Sequence, residues 1–170
     1  MSISIRAFIP ADEPMLQECS RAGYSAAFAE LPETFRPRAH EILENYLIGR
    51  GLTGMEKGLS ARLEGTGWTA ESDGAVAGYA ESYMHDDGIP ELAKIFVHSD
   101  YQRYGIASRL MNKAEDWARG FGSKKMYLTS SHLNVGAHKF YQRRGYVITG
   151  TFRLPDELAD ITMLEFERTL

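Results

Sequence analysis

The spacing of apolar residues along the chain changes between residues 91 and 118, from a strand period to a helix period. Residues 94–97 (KIFV) form a short run with two β-branched side chains and an aromatic ring, which predicts a strand. From Ile106 onward, apolar residues recur at helical spacing and predict an amphipathic helix that ends by Gly120. A turn with the sequence QRYGIA, residues 102–107, joins the two elements.

The same two patterns predict the other elements. The pair Asp73-Gly74 lies between alternating runs at residues 68–72 and 75–84 and predicts a β-hairpin. Further strands are predicted at residues 3–9, 125–129, 146–152 and 161–167, and helices after Asp12 and at 39–48, 55–63 and 134–145. This order predicts an α+β fold: a single domain over residues 1–170 with a mixed, mostly antiparallel central sheet flanked by helices.

Composition restricts the classes of protein to consider. A chain of 170 residues with 44% hydrophobic residues is long enough for one domain with a full core. The net charge of -4 argues against a nucleic-acid partner. The one cysteine, Cys19, excludes an intrachain disulfide and is expected to be a core residue. Without a signal-peptide pattern or an apolar run of about 18 residues, we expect a cytoplasmic protein with no membrane partner.

The turn before the long helix is a candidate anion site. A helix start leaves backbone N–H groups unpaired and carries partial positive charge. Gly105 lets a ligand approach the backbone, Ala107 keeps the first turn narrow, and Arg103 and Arg109 are placed to meet phosphate oxygens. The turn therefore predicts a phosphate-bearing ligand, although glycine-containing turns of this kind also occur in many α/β proteins without one.

A second motif lies at residues 134–146, NVGAHKFYQRRGY, which predicts a short helix capped by Asn134 and stopped at Gly145. Together, the Gln-x-x-Gly-x-Ala turn and this Asn-x-x-Ala-x-x-Phe-Tyr-x-x-x-Gly-Tyr motif resemble the GNAT family of N-acetyltransferases. Residues 3–12 are similar to the first strand of that family and its turn into the first helix. The resemblance covers most of the chain and implies the acyl-CoA N-acyltransferase (GNAT-like) fold.

The resemblance also implies a set of site residues and acetyl-CoA as the co-substrate. The Val97 N–H would polarise the thioester carbonyl. Tyr141 would be the general acid for the departing thiolate, and Glu91 matches by spacing the glutamate that some members use as base. The residues expected to bind the cofactor are Ile95, Phe96, Val97, Gln102, Arg103, Tyr104, Gly105, Ile106, Ala107 and Asn134.

The identity of the base stays open at this point. Glu81, Asp86 and Asp87 are further candidates for the base or for recognition of the amine. Other family members carry a glutamate at the position of Thr129, so this chain departs from the ribosomal-protein N-terminal acetyltransferase subgroup. The histidines show none of the paired spacings typical of a zinc site, and we expect no metal.

Two functions remain in competition. The first is transfer of an acetyl group from acetyl-CoA directly to a primary amine, either of a small molecule (polyamine-like or otherwise cationic) or of a peptide. The second is a catalytically silent GNAT-fold module that binds coenzyme A as a sensor or interaction domain. Residues 23–63 would form the acceptor site, and strand 161–170 is a candidate sheet edge for a homodimer. The aromatic and acidic residues of the acceptor segment include Tyr24, Phe28, Glu30, Glu33 and Phe35.

Overall fold

The structure is a computed structural model that describes residues 2–29, 31–42, 65–154 and 161–170. Within these residues the chain forms one mixed sheet of seven strands flanked by helices, which confirms the predicted α+β class. The strands are β1 (Ile3–Ala7), β2 (Gly65–Ser72), β3 (Ala75–Met84), β4 (Pro90–Val97), β5 (Lys125–Ser131), β6 (Val147–Arg153) and β7 (Thr162–Thr169). The α-helices are α1 (Glu13–Phe28), α2 (Arg36–Ile42), α3 (Ile106–Gly120) and α4 (Val135–Arg143).

The strands lie in the order β1-β2-β3-β4-β5-β7-β6, and every neighbouring pair is antiparallel except β4 and β5. The parallel pair is short. Glu91 is paired with Tyr127 and Leu92 with Leu128, but β4 continues to Val97 without further pairing to β5. The two strands therefore separate toward their C-terminal ends. We call the opening between them the β4–β5 gap.

A β-bulge lies in β4 at the point where the gap begins. Glu81 of β3 is paired with Lys94, but the next residue, Ser82, is paired with Leu92. Ala93 is therefore the extra residue on β4. A bulge of this kind bends its strand and ends regular pairing, which explains why β4 turns away from β5 here.

Helices cover both faces of the sheet. On one side, which we call the α1 face, Leu16 and Cys19 of α1 pack against Tyr79 and Phe96. The opposite side, the α3 face, carries the larger core. Its buried members include Ala80, Leu92, Ile106, Leu110, Met111, Met126, Leu128, Tyr146 and Phe166. Successive side chains of a strand point to opposite faces of its sheet, so residues of β3 and β4 contribute alternately to the two cores.

Several predicted elements match the structure closely. The Asp73-Gly74 turn joins β2 and β3, with φ of 50° at Asp73 and 87° at Gly74, as a tight hairpin turn requires. Helix α3 has the predicted bounds, and α4 is capped by Asn134. The predicted helix 39–48 overlaps α2 as far as Ile42, and its remainder and the predicted helix 55–63 lie outside the described residues.

Strand β4 begins at Pro90, one residue before Glu91, where the sequence predicts its start. Two other predictions need correction. The sequence predicts that Met15 lies with Leu16 and Cys19 on the apolar stripe of α1, but Met15 is 49% exposed. The prediction that residues 161–170 form a sheet edge is wrong, since β7 lies between β5 and β6. No helix among the described residues is long and apolar enough to cross a bilayer.

Candidate active site

The β4–β5 gap exposes backbone groups of β4. His98 N–H donates to the Ala77 carbonyl on β3 at 3.0 Å. Because successive N–H groups of a strand point to opposite edges, the N–H groups of Ile95 and Val97 point away from β3, into the gap. The Phe96 N–H faces β3 instead, and its ring packs 5.6 Å from the ring of Tyr79. The gap therefore offers the amides of Ile95 and Val97, while Phe96 supports the strand from the α1 face.

The predicted phosphate turn follows β4 and leads into α3. Arg103 and Gly105 have positive φ angles of 68° and 79°, and Gly105 is the residue that caps α3. A Cβ at Gly105 would have no neighbour within 4 Å, so the space in front of the helix start is open. The buried Ile106 side chain anchors the first turn of α3, which leaves the N–H groups of that turn available to an anion.

Three side chains around the turn have different surroundings. Gln102 Nε2 donates to the Val97 carbonyl at 3.4 Å and joins the turn to the edge of the gap. Tyr104 is 54% exposed. Arg109, expected beside the phosphates, donates from Nη1 to the Ile3 carbonyl on β1 at 3.0 Å. Arg109 is thereby directed toward β1, and the positive end of α3 remains as the main attraction for an anion.

The second motif places Asn134 and Tyr141 on α4. Asn134 Oδ1 accepts from the Ala137 N–H at 3.4 Å, the capping role expected from the sequence. Tyr141 is 6% exposed, and its ring lies 5.5 Å from the ring of Phe166. Burial raises the pKa of the Tyr141 phenol, and the nearby Tyr24 adds to this effect. The group is therefore protonated at neutral pH, as a general acid must be.

Glu91 is held by two side chains from the end of β3. It is 8% exposed, and its Oε2 accepts from the Tyr83 hydroxyl at 2.5 Å and lies 2.6 Å from Nε2 of His85. The ring centroids of Tyr83 and His85 lie 5.0 Å apart, and those of His85 and Tyr127 lie 6.2 Å apart. Glu91 is therefore one member of a bonded cluster at the start of the gap, rather than a free surface carboxylate.

The sequence interpretation missed Tyr83 and His85. Tyr79, Glu81 and Tyr83 are spaced two apart in a predicted strand, a pattern that places them on one face. That signal gives the face on which Tyr83 lies, but not its pairing with Glu91, which follows the register shift at the bulge. His85 gives no such signal, because it follows the last residue of β3, and only the turn that closes on it brings it to Glu91.

The other candidate bases differ in their surroundings. Glu81 is 2% exposed, lies 3.7 Å from Lys94 Nζ, and accepts from the Tyr79 hydroxyl at 3.3 Å. Burial raises the pKa of Glu81 and lowers the pKa of Lys94, so the protein stabilises the uncharged form of each. Asp86 and Asp87 lie in the exposed turn between β3 and β4.

Another carboxylate lies near the position where the sequence has Thr129. Glu165 of β7 is paired in register with Thr129 and accepts from the Tyr127 hydroxyl at 3.2 Å. The site thus carries an acid on the strand next to β5 instead of on β5. In the part of the chain that the structure describes, no group of three or more histidine, cysteine, aspartate or glutamate residues is arranged to hold a metal ion.

Comparison with known proteins decides the family. The model of the acetyltransferase (GNAT) family matches residues 25–146, which include the gap, the turn and both motifs. The chain belongs to the GNAT family. The family named from the two motifs is thus confirmed.

Individual relatives agree with this membership. An uncharacterized N-acetyltransferase of Mycobacterium tuberculosis is 36% identical over 88 residues, which are 51% of this chain and 56% of the relative. Human N-acetyltransferase 8 is 31% identical over 49% of this chain and 39% of its own. The chain thus matches only about half the length of the mycobacterial relative.

A solved structure shows the same fold over the whole chain. The PaiA N-acetyltransferase of Thermoplasma acidophilum, crystallised with coenzyme A, superposes with a TM-score of 0.77. The match covers 100% of both chains at 19% sequence identity. The GNAT-like fold predicted from the sequence is therefore confirmed.

Proposed function

We propose that this GNAT protein is an acetyl-CoA-dependent N-acetyltransferase acting by direct transfer to a primary amine. The acceptor would be a small molecule, polyamine-like or otherwise cationic, or a peptide. The observation that carries the proposal is the β4–β5 gap, because it has hydrogen-bond donors on its edge and a candidate acid and base on opposite faces of the sheet. Glu91 is bonded to Tyr83, on the α1 face, and Tyr141 belongs to the core of the α3 face.

The donor side of the gap suits acetyl-CoA. The turn at Gly105 and the start of α3 would hold the pyrophosphate through backbone N–H groups. The amides of Ile95 and Val97 would meet the pantetheine arm and the thioester carbonyl, with Val97 stabilising the developing oxyanion. Asn134 would contact the arm while it caps α4. The amides that face the gap and the open space at Gly105 are the features of this chain that fit such a ligand.

The proposed reaction removes two protons from an ammonium acceptor, one before and one after its attack, and supplies one proton to the leaving group. An ammonium ion must lose a proton before its nitrogen can attack the thioester. The Glu91 carboxylate would remove this proton, directly or through an intervening group. The tetrahedral intermediate then loses the second proton from its nitrogen to solvent and collapses to the amide and the thiolate of coenzyme A. Tyr141 would donate its phenolic proton to that thiolate.

The charge of the α1 face supports a cationic acceptor. Glu91 and Glu165 both belong to the cluster around His85 and Tyr127. A cleft that carries carboxylates raises the local concentration of cations and lowers that of anions. A polyamine or another amine with more than one positive charge would gain most from this field.

The test is continuous measurement of thiol release from acetyl-CoA across polyamines, aminoglycosides, amino acids and short peptides with free N-termini or lysines. Turnover that depends on an amine and falls in Tyr141→Phe supports the proposal. Tight binding of coenzyme A in calorimetry without turnover on any amine would instead support the sensor. Absence of coenzyme A binding would contradict both, because both use the turn at Gly105.

A further inference from the structure

His85 and Glu91 form a pair whose geometry goes beyond a lone carboxylate base. Nε2 of His85 and Oε2 of Glu91 are 2.6 Å apart, a separation at which one proton must lie between them. Oε2 also accepts from the Tyr83 hydroxyl. An ionised Glu91 therefore fixes the imidazole with its proton on Nε2, and Nδ1 carries the free electron pair.

Exposure distinguishes the two members of the pair. The side chain of Glu91 is 10% exposed and that of His85 is 38% exposed. Glu91 already has two partners on one oxygen, whereas His85 lies at the mouth of the site. An amine that enters from solvent meets the imidazole more readily than the carboxylate behind it.

The backbone at His85 holds the ring in place. The His85 N–H donates to the Ile89 carbonyl at 3.1 Å, and the His85 carbonyl accepts from the Gly88 N–H at 2.9 Å. This turn closes the β3–β4 hairpin, so the backbone that carries the His85 side chain is fixed by hydrogen bonds. The titratable groups that face His85 or border it are Tyr83 on β3, Asp86 and Asp87 in the turn, Glu91 on β4, Tyr127 on β5 and, through Tyr127, Glu165 on β7.

We propose that His85 is the group that takes the proton from the acceptor amine and that Glu91 is a positioning residue that acts through it. This inference rests on the proposed acetyltransferase function and names the base for it. In the step, an N–H bond of the substrate ammonium breaks and a bond to Nδ1 of His85 forms. The resulting imidazolium is stabilised by Glu91, to which it donates from Nε2, and it releases its Nδ1 proton to water after transfer.

The first experiment is chemical rescue. His85→Ala should lower kcat/KM by about 100-fold or more, the usual contribution of a general base. Imidazole added to the assay should restore a measurable part of that rate, because it fits the space that the side chain leaves. Tyr141→Phe is the matched control, since its defect lies at the leaving group and imidazole should not repair it. A His85→Ala enzyme that imidazole does not restore would overturn the proposal.

The second experiment is a double-mutant cycle with pH profiles. If Glu91 acts only through His85, His85→Ala combined with Glu91→Gln should be no slower than the slower single variant. Glu91→Gln should keep the acidic limb of kcat/KM, because His85 still takes the proton in this variant. An acidic limb that disappears in Glu91→Gln while His85→Ala retains nearly full activity would assign the proton to Glu91 directly.

A measurement without turnover separates this inference from the proposed function. In ¹⁵N-histidine-labelled protein, the signal that His85→Gln removes should show a neutral ring protonated at Nε2, with a downfield proton that Glu91→Gln shifts. This result in a protein inactive toward every amine would refute the acetyltransferase function and leave the pair intact. A ring protonated at Nδ1 alone would overturn the inference even if the protein were an active acetyltransferase.

Discussion

The α-carbon of Gly23 lies so close to the Val97 carbonyl that a Cβ at position 23 would stand 2.7 Å from its oxygen. Helix α1 therefore contacts β4 directly at the edge of the β4–β5 gap. A glycine is required at this position because any side chain would force the helix and the strand apart.

Gly23→Ala should therefore weaken both the fold and the binding of coenzyme A. The added methyl group meets backbone rather than a flexible side chain, so we expect a loss of about 1–3 kcal/mol in the free energy of unfolding. Coenzyme A affinity, measured by calorimetry, should fall because β4 carries the donor amides. Gly120→Ala is the control, since nothing lies within 4 Å of its Cβ position in α3. Equal effects of the two substitutions would contradict the close approach.

A second glycine pair tests the phosphate turn. Gly105 and Gly122 have φ angles of 79° and 76°, and neither would bring a Cβ within 4 Å of another atom. Alanine at either position should cost about 1–2 kcal/mol of stability through backbone strain alone. Only Gly105→Ala should also weaken coenzyme A, because position 105 begins the anion-binding end of α3 and position 122 follows its other end. Calorimetry on both variants at one temperature makes the comparison, and equal affinities would exclude Gly105 from the binding site.

Tyr141 and Tyr146 form a matched pair for testing the general acid. Their rings lie 6.1 Å apart in the same core, and the Tyr146 hydroxyl donates to Glu115 at 3.4 Å. Tyr141→Phe should lower kcat by 100-fold or more and leave coenzyme A binding unchanged. Tyr146→Phe should lower stability by about 1 kcal/mol through the lost hydrogen bond and leave kcat nearly unchanged. The reverse order of effects on kcat would remove Tyr141 as the acid.

The pH dependence of the Tyr141 step follows from its burial. Burial raises the pKa of the phenol, so its protonated form persists further into the alkaline range than that of a free tyrosine. We therefore expect no loss of kcat from ionisation of Tyr141 below about pH 10. A decline in kcat at lower pH that is absent from Tyr141→Phe would contradict this expectation.

The parts predicted correctly from sequence are those in which local signals and tertiary structure agree. Asp73-Gly74 fixes its own turn, Asn134 caps its own helix, and the amphipathic stripe from Ile106 defines the whole of α3. The turn that leads into α3 belongs to this group as well, because it depends on backbone conformation within one short segment. Its binding of phosphate stays a prediction.

The parts that sequence could not supply depend on contacts between distant or irregular segments. The bulge at Ala93 is invisible in an ordinary strand pattern, yet it begins the gap. His85 lies outside the periodic part of β3 and reaches Glu91 only because the hairpin closes. Arg109 belongs by sequence to the turn, but the position of β1 determines that it meets Ile3. Arg109 and Ile3 are 106 residues apart in the chain, so no local sequence pattern predicts their contact.

The pairing of Arg6 with Asp12 leads to a prediction for stability in acid. Asp12 is 5% exposed and accepts from two guanidinium nitrogens of Arg6 at 2.7 Å each, from the Ile9 N–H, and from the Thr69 hydroxyl. The Arg6 hydrogen bonds lower the pKa of Asp12 more strongly than burial raises it. Near pH 4 the unfolded chain therefore binds more protons at this position than the folded chain does.

It follows that Asp12 stabilises the fold above about pH 4 and that this contribution is lost as the pH falls through its lowered pKa. Because the Arg6 side chain is partly exposed, Asp12→Asn should reduce the free energy of unfolding by only about 1–3 kcal/mol at pH 7. The difference from the unmodified protein should shrink toward pH 2, as urea unfolding at a series of pH values would measure. Asp73→Asn, at an exposed residue that accepts from the Ser2 N–H, should change little at any pH. A difference for Asp12→Asn that stays constant from pH 7 to pH 2 would mean that its effect comes from packing and not from its charge.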